Sequence, residues 1–95
     1  MIYMHQTANF FKEKGNTAFK DTKLEKALEF YEQGRRYATA ENYQKLSEEQ
    51  TARQTAILLN CRNNMAHCYS RQGNMVRALE NFEEVLKIEV LAVLL

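Results

Sequence analysis

The chain predicts an all-α fold, with antiparallel helix-turn-helix hairpins stacked side by side as a fragment of an α-solenoid. Three observations predict it. The 95 residues contain no proline and only three glycines, so almost nothing interrupts a helix. Apolar residues recur at helical spacing along most of the chain. One pattern of small and aromatic residues also occurs twice, in the same order and at the same internal distances.

Residues 1–7 carry no apolar stripe and predict a frayed start. From Ala8 to Lys20, the residues Phe11, Gly15, Ala18 and Phe19 share one stripe, which predicts the first helix. Asp21-Thr22-Lys23 is a turn, and Thr22 followed by Glu25 has the spacing of a capping box. The second helix then runs from Lys23 past Tyr37 to about Glu41, with Leu24, Ala27, Leu28, Tyr31 and the small Gly34 on its stripe. Asn42 to Lys45 is the expected loop. Ser47 with Gln50 is a second capping box, so the third helix starts near Ser47. It runs through Ala56, Leu59, Met65, Ala66 and Tyr69 to Arg71 or Gln72. Gly73 suits a helix C-terminus, and Asn74 suits the N-cap of a fourth helix. That helix starts at Met75, has Ala78, Leu79, Phe82, Leu86 and Ile88 on its stripe, and ends in the apolar run Val90–Leu95. Phe10, Phe11, Phe30 and Tyr31 are expected in the core, with Tyr3, Tyr37 and Tyr43 in packing or surface positions.

This length suits a single domain over residues 1–95. A net charge of +1 gives no bulk attraction to nucleic acid or membrane, and Arg35-Arg36 is a basic step rather than a patch. Met1-Ile2-Tyr3-Met4-His5-Gln6 has neither the basic start nor the apolar run of a secretory signal. The apolar tail falls far short of the roughly 20 residues of a membrane span. Cys61 and Cys68, seven residues apart on one predicted helix, stand about 10 Å apart, too far to bridge. They read as reduced thiols that fill the hairpin interface of a cytoplasmic protein. His5 and His67 have no partners at metal-ligand spacing, and no phosphate loop or activated nucleophile is present. The expectation is a binding module rather than an enzyme, with no cofactor.

The repeated pattern has physical content. Phe11-x2-Lys14-Gly15-x2-Ala18 precedes Ala27-x3-Tyr31, and Arg62-x2-Met65-Ala66-x2-Tyr69 precedes Ala78-x3-Phe82. Gly15, Ala66, Ala27 and Ala78 are small where paired helices cross, while Tyr31 and Phe82 fill space between hairpins. This pattern resembles the tetratricopeptide repeat over about residues 8–41 and 56–90, with the second unit extended by its cap to about 47–90. Lys14 and Arg62 depart from the apolar residues the pattern prefers, and the closing proline is missing from both copies. Ala27 and Ala78 are 51 residues apart, against the usual repeat of about 34. The excess lengthens the second and third helices. This feature is similar to the repeat domains of large FKBP-type immunophilins, peptidyl-prolyl isomerases that partner chaperones.

Members of that family that grip the C-terminal carboxylate of the chaperones Hsp70 and Hsp90 use a Lys and an Asn four residues apart on the first helix. A further Asn comes from the first helix of the second repeat. Lys12, Asn16 and Asn64 match those places. The resemblance implies that an ammonium and two amides converge as donors on one carboxylate. It also implies that Arg71 helps hold an acidic side chain of the peptide, and that Phe19 and His67 line the groove. The family draws two more basic contacts from a third repeat that would begin where this chain ends. The expected binding is therefore weakened from micromolar toward millimolar.

The apolar tail adds a second expectation. Its helix has no following helix to cover it, which predicts either a missing third repeat or a homodimer through that helix. Two alternatives thus stand beside the clamp. One is a self-associating assembly repeat without carboxylate recognition, and the other is a regulatory fragment of a peptidyl-prolyl isomerase whose catalytic domain lies elsewhere.

Overall fold

The computed structural model describes residues 4–39 and 47–94. They form four helices: α1 (Met4–Lys20), α2 (Leu24–Thr39), α3 (Glu48–Arg71) and α4 (Met75–Leu94). Among the described residues there is no strand. α1 packs on α2, α2 on α3 and α3 on α4, and α1 also touches α3. Together they make a slab of 38 × 31 × 18 Å. None of the helices is long and apolar enough to cross a membrane. The expected end of the second helix near Glu41, the loop Asn42 to Lys45, and Tyr3 and Tyr43 lie outside the described residues.

The expected frayed start over residues 1–7 is corrected from Met4 onward, where α1 is helical, while residues 1–3 lie outside the described residues. Ala8 is fully buried, and its carbonyl lies 3.2 Å from where a Cβ on Gly34 would stand. Contact with α2 therefore holds the first turns of α1 in helical form.

Both hairpins turn through the same hydrogen bonds. Thr22 N–H donates to the Phe19 carbonyl (3.0 Å), and Lys23 N–H donates to the Ala18 carbonyl (2.9 Å). Gly73 N–H donates to Ser70 (3.0 Å), and Asn74 N–H donates to Tyr69 (2.8 Å). This is the Schellman ending, with one left-handed residue, Thr22 at φ 58° and Gly73 at φ 79°. Thr22 therefore closes α1 instead of capping α2, which corrects the expected Thr22–Glu25 capping box. Its hydroxyl donates to the Asp21 carbonyl at 2.6 Å. The Ser47–Gln50 box forms as expected at the start of α3. Asn74 caps α4, its Oδ1 accepting the Arg77 N–H at 3.2 Å.

The core consists of Ala8, Ala18, Ala27, Tyr31, Ala38, Ile57, Cys61, Met65 and Cys68. Small residues dominate it, so the helices approach closely. A Cβ on Gly15 would stand 2.6 Å from the Tyr31 ring, and one on Gly34 would stand 2.9 Å from Cys61 Sγ. Gly15 is thus the crossing point of α1 and α2, and Gly34 is where α1, α2 and α3 meet. Cys61 and Cys68 are buried free thiols. Burial pushes their pKa values up to about 12 and about 11.

Several expected core positions lie elsewhere. Phe10 is 54% exposed, and the Lys14 ammonium sits 5.6 Å from its ring centre. Phe11 takes the inner place, stacked on Tyr37 at 5.6 Å. On α3 the buried residues are Gln54, Ile57, Cys61, Met65, Ala66 and Cys68, so Met65 and Ala66 lie inside as expected while Ala56 is exposed. On α4, Ala78 and Asn81 are buried, whereas Leu79 and Leu86 are 57% and 62% exposed. The reason is a polar link: Arg62 on α3 donates to Asn81 Oδ1 at 3.1 Å, which fixes the face that α4 presents. Asn81 also donates to the Arg77 carbonyl at 2.9 Å, so this buried amide is satisfied on both sides.

Candidate functional site

The site lies on the seam between α1 and α3. Asn16 stands next to Gly15, where α1 has no side chain between it and α2. That absence lets the Tyr31 ring lie against the α1 backbone and reach past it. The Tyr31 hydroxyl donates to Asn16 Oδ1 at 2.7 Å. Asn64 on α3 donates from Nδ2 to the same oxygen at 3.3 Å. Two residues 48 positions apart (64 − 16) therefore meet on one polar atom. Both are half-buried, with Tyr31 fully buried behind them.

The chemistry of this trio is directional. Asn16 Oδ1 already accepts two hydrogen bonds, so its carbonyl side is used. Its Nδ2 meets no acceptor among the described residues, and it carries two N–H donors. The amide is thus held oxygen-inward and donor-outward, an orientation suited to an anionic acceptor. Burial, followed by the neighbouring thiols Cys68 and Cys61, raises the Tyr31 phenol from 10.0 to about 12. The phenol consequently remains a donor at any ordinary pH.

The other expected site residues fall at different places. Lys12 is one turn before Asn16 on α1, and its side chain is largely packed, at 18% exposure. Its ammonium lies 3.6 Å from the Glu13 carboxylate, a weak surface pair that a better anion can displace. Arg71 and Phe19 are brought together, with the guanidinium 4.6 Å from the ring centre. This contact ties the end of α3 to α1, and stacking leaves the edge N–H groups of Arg71 free to donate. His67 is exposed, and its ring meets Phe82 of α4 edge-on at 5.6 Å. That places it on the α4 side of α3, outside the amide network. Tyr31 was expected only as core. The signal for its polar role is that its counterpart in the second hairpin is Phe82, because a buried tyrosine needs a partner for its hydroxyl.

No family model, curated protein or solved structure matches the chain.

Proposed function

We propose that this chain is a peptide-binding module of the tetratricopeptide type that grips a C-terminal carboxylate on the α1–α3 seam. One observation carries the reading: Asn16 and Asn64 meet, and Tyr31 turns the donors of Asn16 outward. Lys12 supplies the positive charge one turn away on the same helix face. Arg71, laid over Phe19, helps hold an acidic side chain of the peptide. The matching turns and the small crossing residues support two copies of one repeat. The partner this implies is a co-chaperone's partner, the acidic C-terminal tail of Hsp90 or Hsp70, met in the cytoplasm. A titration tests it. A peptide ending in Met-Glu-Glu-Val-Asp should bind at least tenfold more tightly than its C-terminal amide. Lys12→Ala should weaken the free-acid peptide by a similar factor, since a hydrogen bond to a charged group contributes about 1.5–3 kcal/mol. Equal affinities for acid and amide would remove the reading.

The α4 surface favours a second reading, self-association. Met75, Leu79, Leu86, Val90 and Val93 are each more than half exposed and recur at helical spacing along one face. A second copy could cover that face, which makes a homodimer the competing assembly role. Light scattering at rising concentration tests it, and a monomer throughout would end it.

A further inference from the structure

A second apolar surface lies on the side of α1 and α2 that faces away from α3. Phe11 of α1 meets two rings of α2, Tyr37 at 5.6 Å and Phe30 at 6.5 Å. Phe10 meets Phe11 edge-on at 5.4 Å, and Phe10 and Tyr37 stay exposed, at 54% and 37%. Two ammonium groups sit on this edge. Lys14 lies 5.6 Å from the Phe10 ring centre, and Lys26 lies 5.9 Å from that of Phe30. Helix geometry sets the direction. Asn16 reaches α3, and Lys14 is two residues back, about 200° round the helix. On α2, Tyr37 is likewise two residues from Arg35, whose charge reaches Arg62 of α3.

We propose that this aromatic edge receives the exposed α4 face of a second copy, so that the chain associates head to tail. The proposal rests on the self-association reading of α4 and is independent of the carboxylate grip.

The two faces are complementary. Val76, Leu79, Leu86, Val90 and Val93 are each more than half exposed. They follow one another at the three- and four-residue steps of a helix seam, and Glu83 fills the only gap. This stripe points away from α3, which holds the opposite side of α4 through Asn81. α4 carries four glutamates against Arg77 and Lys87, and Glu84 engages Lys87 at 3.5 Å. Neither Glu83 nor Lys14 has an ion pair among the described residues. Two α4 faces set together oppose acid to acid, and two aromatic edges oppose lysine to lysine. Only α4 against the edge opposes unlike charges. The spacing agrees. Phe10 and Lys14 are one turn apart on their helix, as Leu79 and Glu83 are on theirs. With Lys14 on Glu83, Phe10 falls on an exposed leucine one turn along, Leu79 or Leu86 according to helix direction. Because the faces differ, each added copy leaves one of each free, and assembly continues past a dimer or closes into a ring.

Sedimentation of the full chain tests this. The average mass of the unaltered chain should rise with concentration through the dimer mass. Phe10→Glu alone, and Leu79→Glu with Leu86→Glu, should each give monomers with unchanged thermal melts. An equal mixture of the two variants should form a dimer and stop there, because each retains one sound face. Lys14→Glu should raise the midpoint concentration for association about threefold or more, and adding Glu83→Lys to the same chain should restore it. If Phe10→Glu and Lys14→Glu associate as the unaltered chain does while the α4 variant is monomeric, α4 pairs with α4. The self-association reading then stands and the head-to-tail proposal falls. A mixture that stays monomeric also overturns the proposal. If the unaltered chain is monomeric throughout, the proposal and the self-association reading fall together.

Discussion

A single hydroxyl separates Tyr31 from its counterpart Phe82, and it decides which way Asn16 points. Tyr31→Phe keeps the ring against Gly15 and deletes only that donor. It should lower stability by about 1 kcal/mol, the usual net contribution of a hydrogen bond, read from a denaturant midpoint. It should also weaken binding of acid peptides more than of amides, because Asn16 is then free to turn its oxygen outward. A variant that binds both unchanged would show that Tyr31 orients nothing. Tyr31 also contributes to a pH dependence with the two thiols. In the unfolded chain Cys61 and Cys68 ionise near 9.0 and the phenol near 10.0; the fold holds their protons to about 12, about 11 and about 12. Above pH 9 the unfolded state thus releases protons that the folded state keeps, and stability falls as pH rises toward 12. Urea midpoints should be level from pH 7 to 8.5 and drop steeply by pH 10.5. A midpoint unchanged at pH 10.5 would contradict the burial of these groups.

The elements carry a strain that one hairpin has relieved and the other has not. Thr22 and Gly73 occupy the same left-handed position of the same turn, 51 residues apart (73 − 22), but Thr22 is β-branched. Thr22→Gly should raise stability by about 1 kcal/mol, since left-handed backbone costs a residue with a Cβ roughly 1–2 kcal/mol. A lower melting temperature would mean that the hydroxyl bond to Asp21 outweighs the strain. The same turn shows how far sequence reasoning reaches. Helical spans, the Ser47 cap, Gly73 and Asn74 were legible because each depends on residues within one turn of chain. Thr22 was misread because a Thr three residues before a Glu fits a cap on the next helix as well as the end of the previous one. Local pattern cannot choose between them; comparison with Gly73 can. Phe10 and Phe11 were both assigned to the core for a related reason. Adjacent aromatics straddle the edge of a stripe, and only contact with Tyr37 and Phe30 decides which one turns in.

At the scale of the whole molecule, the proposed binding surfaces include the α1–α3 seam and the apolar face of α4. If α4 drives association, Leu79→Glu with Leu86→Glu should abolish it without lowering the melting temperature, because both side chains are already more than half exposed. A lower melting temperature would mean that these leucines support the monomer. The seam was legible only in part. Asn16 and Asn64 are 48 residues apart, and no periodicity links them; they were found through the resemblance. Tyr31 behind them carries one signal in the sequence, the hydroxyl that its counterpart Phe82 lacks, but the acceptor it meets on Asn16 arises only where separate helices come together. The donors of Asn16 are the centre of the proposal, and side-chain amide resonances report on them directly. Titration with a free-acid peptide, followed by two-dimensional nitrogen–proton NMR, should move the Asn16 and Asn64 amide signals together to saturation. The C-terminal amide of the same peptide should leave them in place. Signals that stay fixed while the acid peptide binds would put the binding site elsewhere and contradict the carboxylate grip.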